Sequence, residues 1–183
     1  MRQLRHFPES STARLVLRQI RPGDIHEVHR GLSDPRVSVY YAVAFPTLEA
    51  TREQMDWYEQ LWQERSGLWW AVCRREEEKM IGGIGFNNFK PAPEKAEIGY
   101  WILPEYWGKG YASEAMEEVL KIAFTSLGLH RIEAYVEGGN QASVRMLQRF
   151  GFVHEGCMRE CEVKNGHYID VHVFARLESD PGA

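Results

Sequence analysis

Gly108-Lys109-Gly110 is the most informative spacing in this chain. It stands between a stretch that reads as a strand, Lys95 to Leu103, and one that reads as a helix, Tyr111 to Leu127. A strand that turns through Gly-x-Gly straight into a helix gathers unpaired backbone N–H groups and the positive end of the helix dipole at one point, which can hold a phosphate or pyrophosphate. A Cβ at either glycine would keep oxygens off the main chain or penalise a positive φ. Taken alone, the spacing fits an ordinary strand-to-helix turn equally well. The Walker loop needs four residues between its glycines and a following Gly-Lys-Ser/Thr, and the dinucleotide fingerprint needs a third glycine after an early strand; neither fits. Gly82-Gly83-Ile84-Gly85 lies inside a strand pattern and reads as a bulge or a site of close packing.

Asn140 and Ser143 stand three residues apart at the start of a short helix, Gln141 to Phe150, and read locally as an N-cap followed by a first-turn hydroxyl. In the strand before the glycine loop, alternation puts Glu97, Gly99 and Trp101 on one face and Ile98, Tyr100 and Ile102 on the other. Glu97 is then either a carboxylate aimed at a bound group or a charge on a solvated face. The histidines are scattered without an H-x-x-x-H pair in a helix, so no metal is expected. His26 and His29 read as surface helix residues. Cys73, Cys157 and Cys161 are odd in number and lack C-x-x-C spacing, which argues against a disulfide framework or a zinc site and for a reducing cytoplasm.

The elements that must position these residues follow from periodicity. Arg14 to Ile20 alternates as a strand and is broken by Pro22-Gly23-Asp24, with Asp24 suited to an N-cap. Ile25, Val28 and Leu32, then Thr47 to Arg65, have helical spacing. Between them Val37 to Phe45 reads as an aromatic, uncharged loop that lines something. Leu68 to Arg74, Met80 to Phe89 and Lys95 to Leu103 read as an antiparallel meander. Arg131 to Val136 is a further strand, and Phe152 to Ala175 a hairpin turned at Asn165-Gly166. Trp57, Trp62, Trp69 and Trp70 sit at packing positions. The fold expected is a mixed, mostly antiparallel α/β sheet of about six to seven strands with about four helices. It forms one domain, 1–183, with its core about 13–177.

A chain of 183 residues with 44% hydrophobic residues can bury one core. Its 22 basic residues are interspersed among 26 acidic ones, so no block of charge is available to neutralise a duplex, and no direct nucleic-acid partner is expected. Met1 to Ser11 lacks the apolar stretch of a signal peptide, and no later stretch is apolar enough to span a bilayer. The expectation is a cytoplasmic protein, monomer or homodimer, without a membrane partner.

From Ala13 to Leu177 the chain resembles the GNAT superfamily of N-acetyltransferases, specifically its ribosomal-protein alanine and serine branch. The residues that carry the resemblance are Ala13 to Arg18, Ala96-Glu97-Ile98-Gly99-Tyr100-Trp101 and Trp107-Gly108-Lys109-Gly110-Tyr111-Ala112-Ser113-Glu114-Ala115. They continue with Leu127 to Ile132, Asn140-Gln141-Ala142-Ser143 and Phe150 to Gly156. Where the wider superfamily often begins this loop with Gln or Arg, the chain has Trp107. The resemblance implies acetyl-CoA as acetyl donor, lying between the strands of Glu97 and Arg131. By it, the main chain of Gly108, Lys109, Gly110, Tyr111 and Ala112 holds the pyrophosphate, and the backbone of Trp101, Ile102 and Leu103 pairs with the pantetheine arm. It also implies that Asn140 holds that arm, that Ser143 reaches the sulfur, and that backbone N–H groups near Ile102 receive the oxyanion. Arg145 and Arg149 are candidates for the 3′-phosphate, or solvated helix charges. In the acceptor pocket it places Tyr40, Tyr41 and Phe45; Asp170 could orient an acceptor amine or pair within the sheet.

Acetyl transfer from a thioester needs a neutral amine, a donor for the oxyanion and, optionally, an acid for the thiolate. Glu97 is the candidate base and Ser143 the candidate donor to sulfur. An α-amino group titrates at about 7.7 to 8.0 and a lysine-like amine at about 10.4, so the base matters more for the second. The acceptor implied by the resemblance is a protein N-terminus. A small-molecule amine acceptor (antibiotic, polyamine or amino acid), or a catalytically inactive acetyl-CoA-binding module, are the alternatives.

Overall fold

The computed structural model describes residues 4–41 and 45–180. Within these residues eight strands form one sheet: β1 (Ser10–Ser11), β2 (Leu15–Gln19), β3 (Leu68–Arg74), β4 (Met80–Lys90), β5 (Lys95–Ile102), β6 (Arg131–Glu137), β7 (Val153–Lys164) and β8 (His167–Leu177). The spatial order is β1-β2-β3-β4-β5-β6-β8-β7, and among the described residues β5–β6 is the only parallel pair. The meander and the terminal hairpin stand as expected; the strand beyond the expected six or seven is β1.

Among the described residues five α-helices cover the two faces: α1 (Ile25–Ser33), α2 (Pro35–Ser38), α3 (Leu48–Gln63), α4 (Tyr111–Ile122) and α5 (Gln141–Arg149). The helix beyond the expected four is α2. It occupies the start of the segment read as a loop, because Pro35 suits the first helical turn and the Asp34 carboxylate accepts the Arg36 N–H. Asp24 stands at the N-cap position of α1 as expected, but its side chain makes no capping bond to the helix. Its carboxylate turns back to the Arg21 N–H and the Arg18 guanidinium, where Arg18 Nη2 lies 2.7 Å away. The long helix ends as α at Ile122 and closes through a wider turn, Ala123–Leu127, before Gly128 takes a left-handed φ of 67°.

Because side chains alternate along a strand, β3 is buried on both faces. Leu68, Trp70 and Val72 pack beneath α4 and α5 with Met116, Val119 and Leu147, whereas Trp69, Ala71 and Cys73 pack against α1 and α3 with Val28, Leu32, Tyr58 and Leu61. Each such aliphatic or aromatic side chain contributes about 1.5–3 kcal/mol by leaving water. Gly83, Gly85 and Gly99 let this packing close: an added Cβ at Gly85 would lie 2.4 Å from the Trp69 ring. Close packing therefore explains the glycine run in β4.

Candidate functional site

The site begins where the sheet fails to continue. β5 and β6 pair only from Lys95–Glu97 to Arg131–Glu133. At this closed end Glu133, 6% exposed, accepts from Lys95 Nζ at 2.8 Å and Arg131 Nε at 2.8 Å. Beyond it the strands part. β5 runs on to Ile102, through the turn Pro104–Tyr106 and the glycine loop into α4, while β6 runs on to Glu137 and through Gly138-Gly139-Asn140 into α5. Two helix N-termini thus flank an open wedge, and a cavity of about 1460 Å³ fills it.

At its mouth Gly108 and Gly110 have φ of 71° and 80°, a conformation that strains any residue with a Cβ. Gly110 is the N-cap of α4 and brings no side chain to satisfy the first N–H groups of the helix. An added Cβ at Gly108 would meet nothing within 4 Å, so the loop faces open space. The loop is braced from the N-terminal segment. Arg14 Nη1 donates to the Lys109 carbonyl at 3.0 Å, its guanidinium lies 4.7 Å from the Tyr111 ring centre, and its Nε meets Glu114 at 2.6 Å. Glu114 also accepts from the Thr12 hydroxyl and the Arg14 N–H. Partial burial would raise its carboxyl, but these bonds outweigh that and hold it below the usual range.

Along β5, Leu103 N–H donates to the Ile81 carbonyl of β4. Successive backbone groups of a strand point to opposite sides, so Ile102 turns its N–H and C=O toward the wedge while Trp101 and Leu103 turn theirs toward β4. Of the stretch expected to offer its backbone, Ile102 alone faces the cavity by its main chain. The Leu103 side chain is buried in the core beneath α1. The Trp107 indole donates to the Ile102 carbonyl at 2.7 Å.

Across the wedge, Asn140 Oδ1 accepts from the Ser143 N–H at 3.1 Å, the N-cap bond read from the spacing. The Ser143 hydroxyl lies 2.7 Å from the Tyr100 hydroxyl, whose pKa burial pushes up to about 12. Glu97, half-buried, accepts from Asn87 Nδ2 at 3.3 Å. Glu97, Tyr100, Ile102, Gly108, Asn140 and Ser143 all line the one cavity.

The family model described as an acetyltransferase (GNAT) domain matches residues 14–153. The chain belongs to the GNAT N-acetyltransferases. It is 37% identical over 170 residues to the uncharacterized N-acetyltransferase YoaA of Bacillus subtilis, covering 92% of this chain and 96% of that one. It is 34% identical over 102 residues to the ribosomal-protein-serine acetyltransferase of Escherichia coli, 56% of this chain and 57% of the other. The crystal structure of spermidine N-acetyltransferase from Vibrio cholerae in complex with CoA and spermine superposes with a TM-score of 0.82 at 26% identity, covering 92% of this chain and 98% of that one.

Within the GNAT frame the expected residues sort by position. Trp101, Trp107, Tyr111, Ala112 and Arg149 line the cavity; Arg145 does not. Lys109 contributes its carbonyl to Arg14, while its ammonium lies 5.4 Å from the Tyr106 ring centre and does not line the cavity. Tyr40, Tyr41 and Phe45 line the same cavity, with the Tyr40 hydroxyl donating to the Gly139 carbonyl at 3.3 Å. Residues 42–44 of the same loop lie outside the described residues. Asp170 does not line the cavity: its carboxylate accepts the Glu160 N–H at 2.8 Å across the irregular β7–β8 pairing, the sheet role weighed for it.

Trp62, Trp69 and Trp70 pack as read, but Trp57 is 36% exposed and lines the cavity with Glu53 and Asp56 of α3. The Thr12–Arg14–Glu114 brace was not read from the sequence. A signal for it exists, since Glu114 has Gly110, Tyr111, Glu117 and Glu118 as its helical neighbours and so needs a cation from elsewhere.

Proposed function

We propose that this GNAT enzyme transfers acetyl from acetyl-CoA to the α-amino group of a protein N-terminus of the ribosomal-protein type. The observation that carries the reading is the wedge itself, which presents an anion cradle at its mouth and the Glu97 carboxylate and Ser143 hydroxyl within the same cavity. The open space over Gly108 and the wedge-facing groups of Ile102 fit a pyrophosphate followed by an amide-bearing arm. When bound, acetyl-CoA supplies the acetyl thioester. The chain supplies the rest. Glu97 accepts the amine proton directly or through water, the Ile102 N–H donates to the developing oxyanion, and Ser143 donates to the sulfur as charge grows there. Arg149, at the cavity rim, suits the 3′-phosphate.

The acceptor class is supported by the resemblance of the chain to the ribosomal-protein-serine enzyme. A second reading, a small polycationic amine, is favoured by the Glu53, Asp56 and Glu137 carboxylates that line the same cavity. Release of free thiol from acetyl-CoA tests both, with peptides starting in Ser or Ala against spermidine, free amino acids and aminoglycosides. Turnover with peptides above that with every small amine supports the proposal; turnover confined to spermidine supports the second reading. Binding of acetyl-CoA without turnover on any acceptor makes the chain a binding module.

A further inference from the structure

Two hydroxyls, from opposite arms of the site, share a hydrogen bond that the proposed chemistry does not yet use. Ser143 stands in the first turn of α5, and Tyr100 reaches it from β5 across the wedge, 2.7 Å away. Among the described residues neither hydroxyl has another hydrogen-bond partner. α5 itself holds no tyrosine, so the phenol beside Ser143 comes from the far strand. Strand alternation fixes it there: Ile98 and Ile102, on the same face, are buried in the core under α4 and α5, which holds the Tyr100 ring in that packing.

Resting on the assignment of Ser143 as donor to the sulfur, we infer that Tyr100 is a positioning residue for acetyl transfer, holding the Ser143 hydroxyl with its proton aimed at the cofactor sulfur. A serine hydroxyl has one proton to give. If Ser143 donates to Tyr100, none is left for the sulfur. If Tyr100 donates to Ser143, both protons are used in a chain from phenol to serine to sulfur, and each bond polarises the next. The phenol is suited to be the donor because burial keeps it protonated through the working pH range. No proton leaves Tyr100 in this arrangement. As the tetrahedral intermediate collapses, the C–S bond breaks and its electron pair goes to sulfur. The amine proton goes by way of Glu97 to solvent, and the thiolate, stabilised by Ser143, takes a proton from solvent on release.

The thiol of bound CoA reports this without any acceptor. Its titration is followed by ultraviolet thiolate absorbance in the parent, Tyr100→Phe, Ser143→Ala and the double variant, with CoA affinity by calorimetry and melting temperature measured alongside. A free thiol titrates near 8.5. In the parent the bound thiol should titrate below that, Ser143→Ala should return it toward the free value, and Tyr100→Phe should raise it by about half to one pH unit, with CoA affinity within about threefold of the parent. With acetyl-CoA and a peptide bearing an N-terminal serine, Tyr100→Phe should lower kcat about three- to tenfold at unchanged KM for acetyl-CoA, and should have no further effect once Ser143 is alanine. If Tyr100→Phe leaves the thiol where the parent has it, the inference falls. If its effect persists in full in the Ser143→Ala background, Tyr100 is itself the donor to sulfur and the positioning role falls. Failure of the parent to bind CoA, or a parent thiol unmoved by Ser143→Ala, overturns the proposed function first and is read separately.

Discussion

The Trp107 indole N–H is bonded to the Ile102 carbonyl, 2.7 Å away. Ile102 is the β5 residue whose backbone faces the wedge, so the ring occupies the acceptor that an incoming amide would use. Trp107 is 49% exposed, which leaves it free to turn outward. CoA titration should therefore change the tryptophan emission of the parent, and Trp107→Phe should abolish most of that change. Affinity should stay within about threefold, because the bond lost is one that binding itself replaces. An emission change of equal size in Trp107→Phe would show that the indole does not move.

Gly110→Val tests the anion cradle. At a φ of 80° a β-branched residue is strained by about 1–2 kcal/mol, and its side chain occupies the approach to the first N–H groups of α4. Calorimetry should show acetyl-CoA affinity reduced about ten- to a hundredfold, with the apo protein destabilised only by the backbone strain. Steric clash in the apo state is small, since the nearest atom to an added Cβ is Arg14 Nη2 at 3.4 Å. Unchanged affinity would remove the pyrophosphate from this loop.

What was legible in the sequence is what short-range rules determine. The two faces of β5 follow from period-2 alternation, and the Asn140 cap on Ser143 from three-residue spacing at a helix start. The positive φ at Gly108 and Gly110 follows from Gly-x-Gly between strand and helix. What was not legible depends on partners distant in sequence. Arg14 meets Glu114 a hundred residues away, and nothing local to Arg14 announces it. Trp57 lies on the wet side of α3 because the cavity beside it exists only once β5 and β6 part, and Asp170 is drawn from the site by a bulge in β7 that no turn residue marks.

Glu133 joins the two arms at the closed end of the wedge. Burial alone would raise its carboxyl, but hydrogen bonds and charge from Lys95 and Arg131 outweigh it and hold the folded-state value below the ordinary one. A depressed carboxyl contributes stability that is fully present above the unfolded value of about 4.3 and is lost as pH falls through the folded value. Glu133→Gln should lower stability at pH 7 by about 1–3 kcal/mol and flatten the acid limb of the melting curve below about pH 4.5. Denaturant titration at a series of pH values checks both. A constant difference between variant and parent at every pH would assign the loss to packing instead.

Ser143→Ala should lower kcat about ten- to a hundredfold while leaving acetyl-CoA affinity nearly unchanged, because the hydroxyl acts on charge that develops only as sulfur departs. Its backbone N–H, which Asn140 caps, survives the substitution, so α5 should keep its start. Equal kcat for variant and parent at saturating substrate would reduce Ser143 to a first-turn hydroxyl.

Glu97→Gln separates the acceptor classes. Asn87 is the hydrogen-bond partner of the Glu97 carboxylate among the described residues, and glutamine can keep that bond through its amide oxygen, so the substitution removes basicity and little else. If the acceptor is an α-amine titrating at about 7.7 to 8.0, a useful fraction is already neutral near pH 7.5. The loss in kcat/KM should then be moderate and should shrink toward pH 9. If the acceptor is a polyamine nitrogen titrating near 10.4, only about one molecule in a thousand is neutral at that pH, and the loss should be severe. The measurement is kcat/KM against pH for both proteins, with a peptide bearing an N-terminal serine and with spermidine. A variant profile that overlays the parent at every pH would show that Glu97 is not the base. The proton would then pass from the amine to solvent directly, and because kcat/KM is unchanged the carboxylate would not attract a cationic acceptor either.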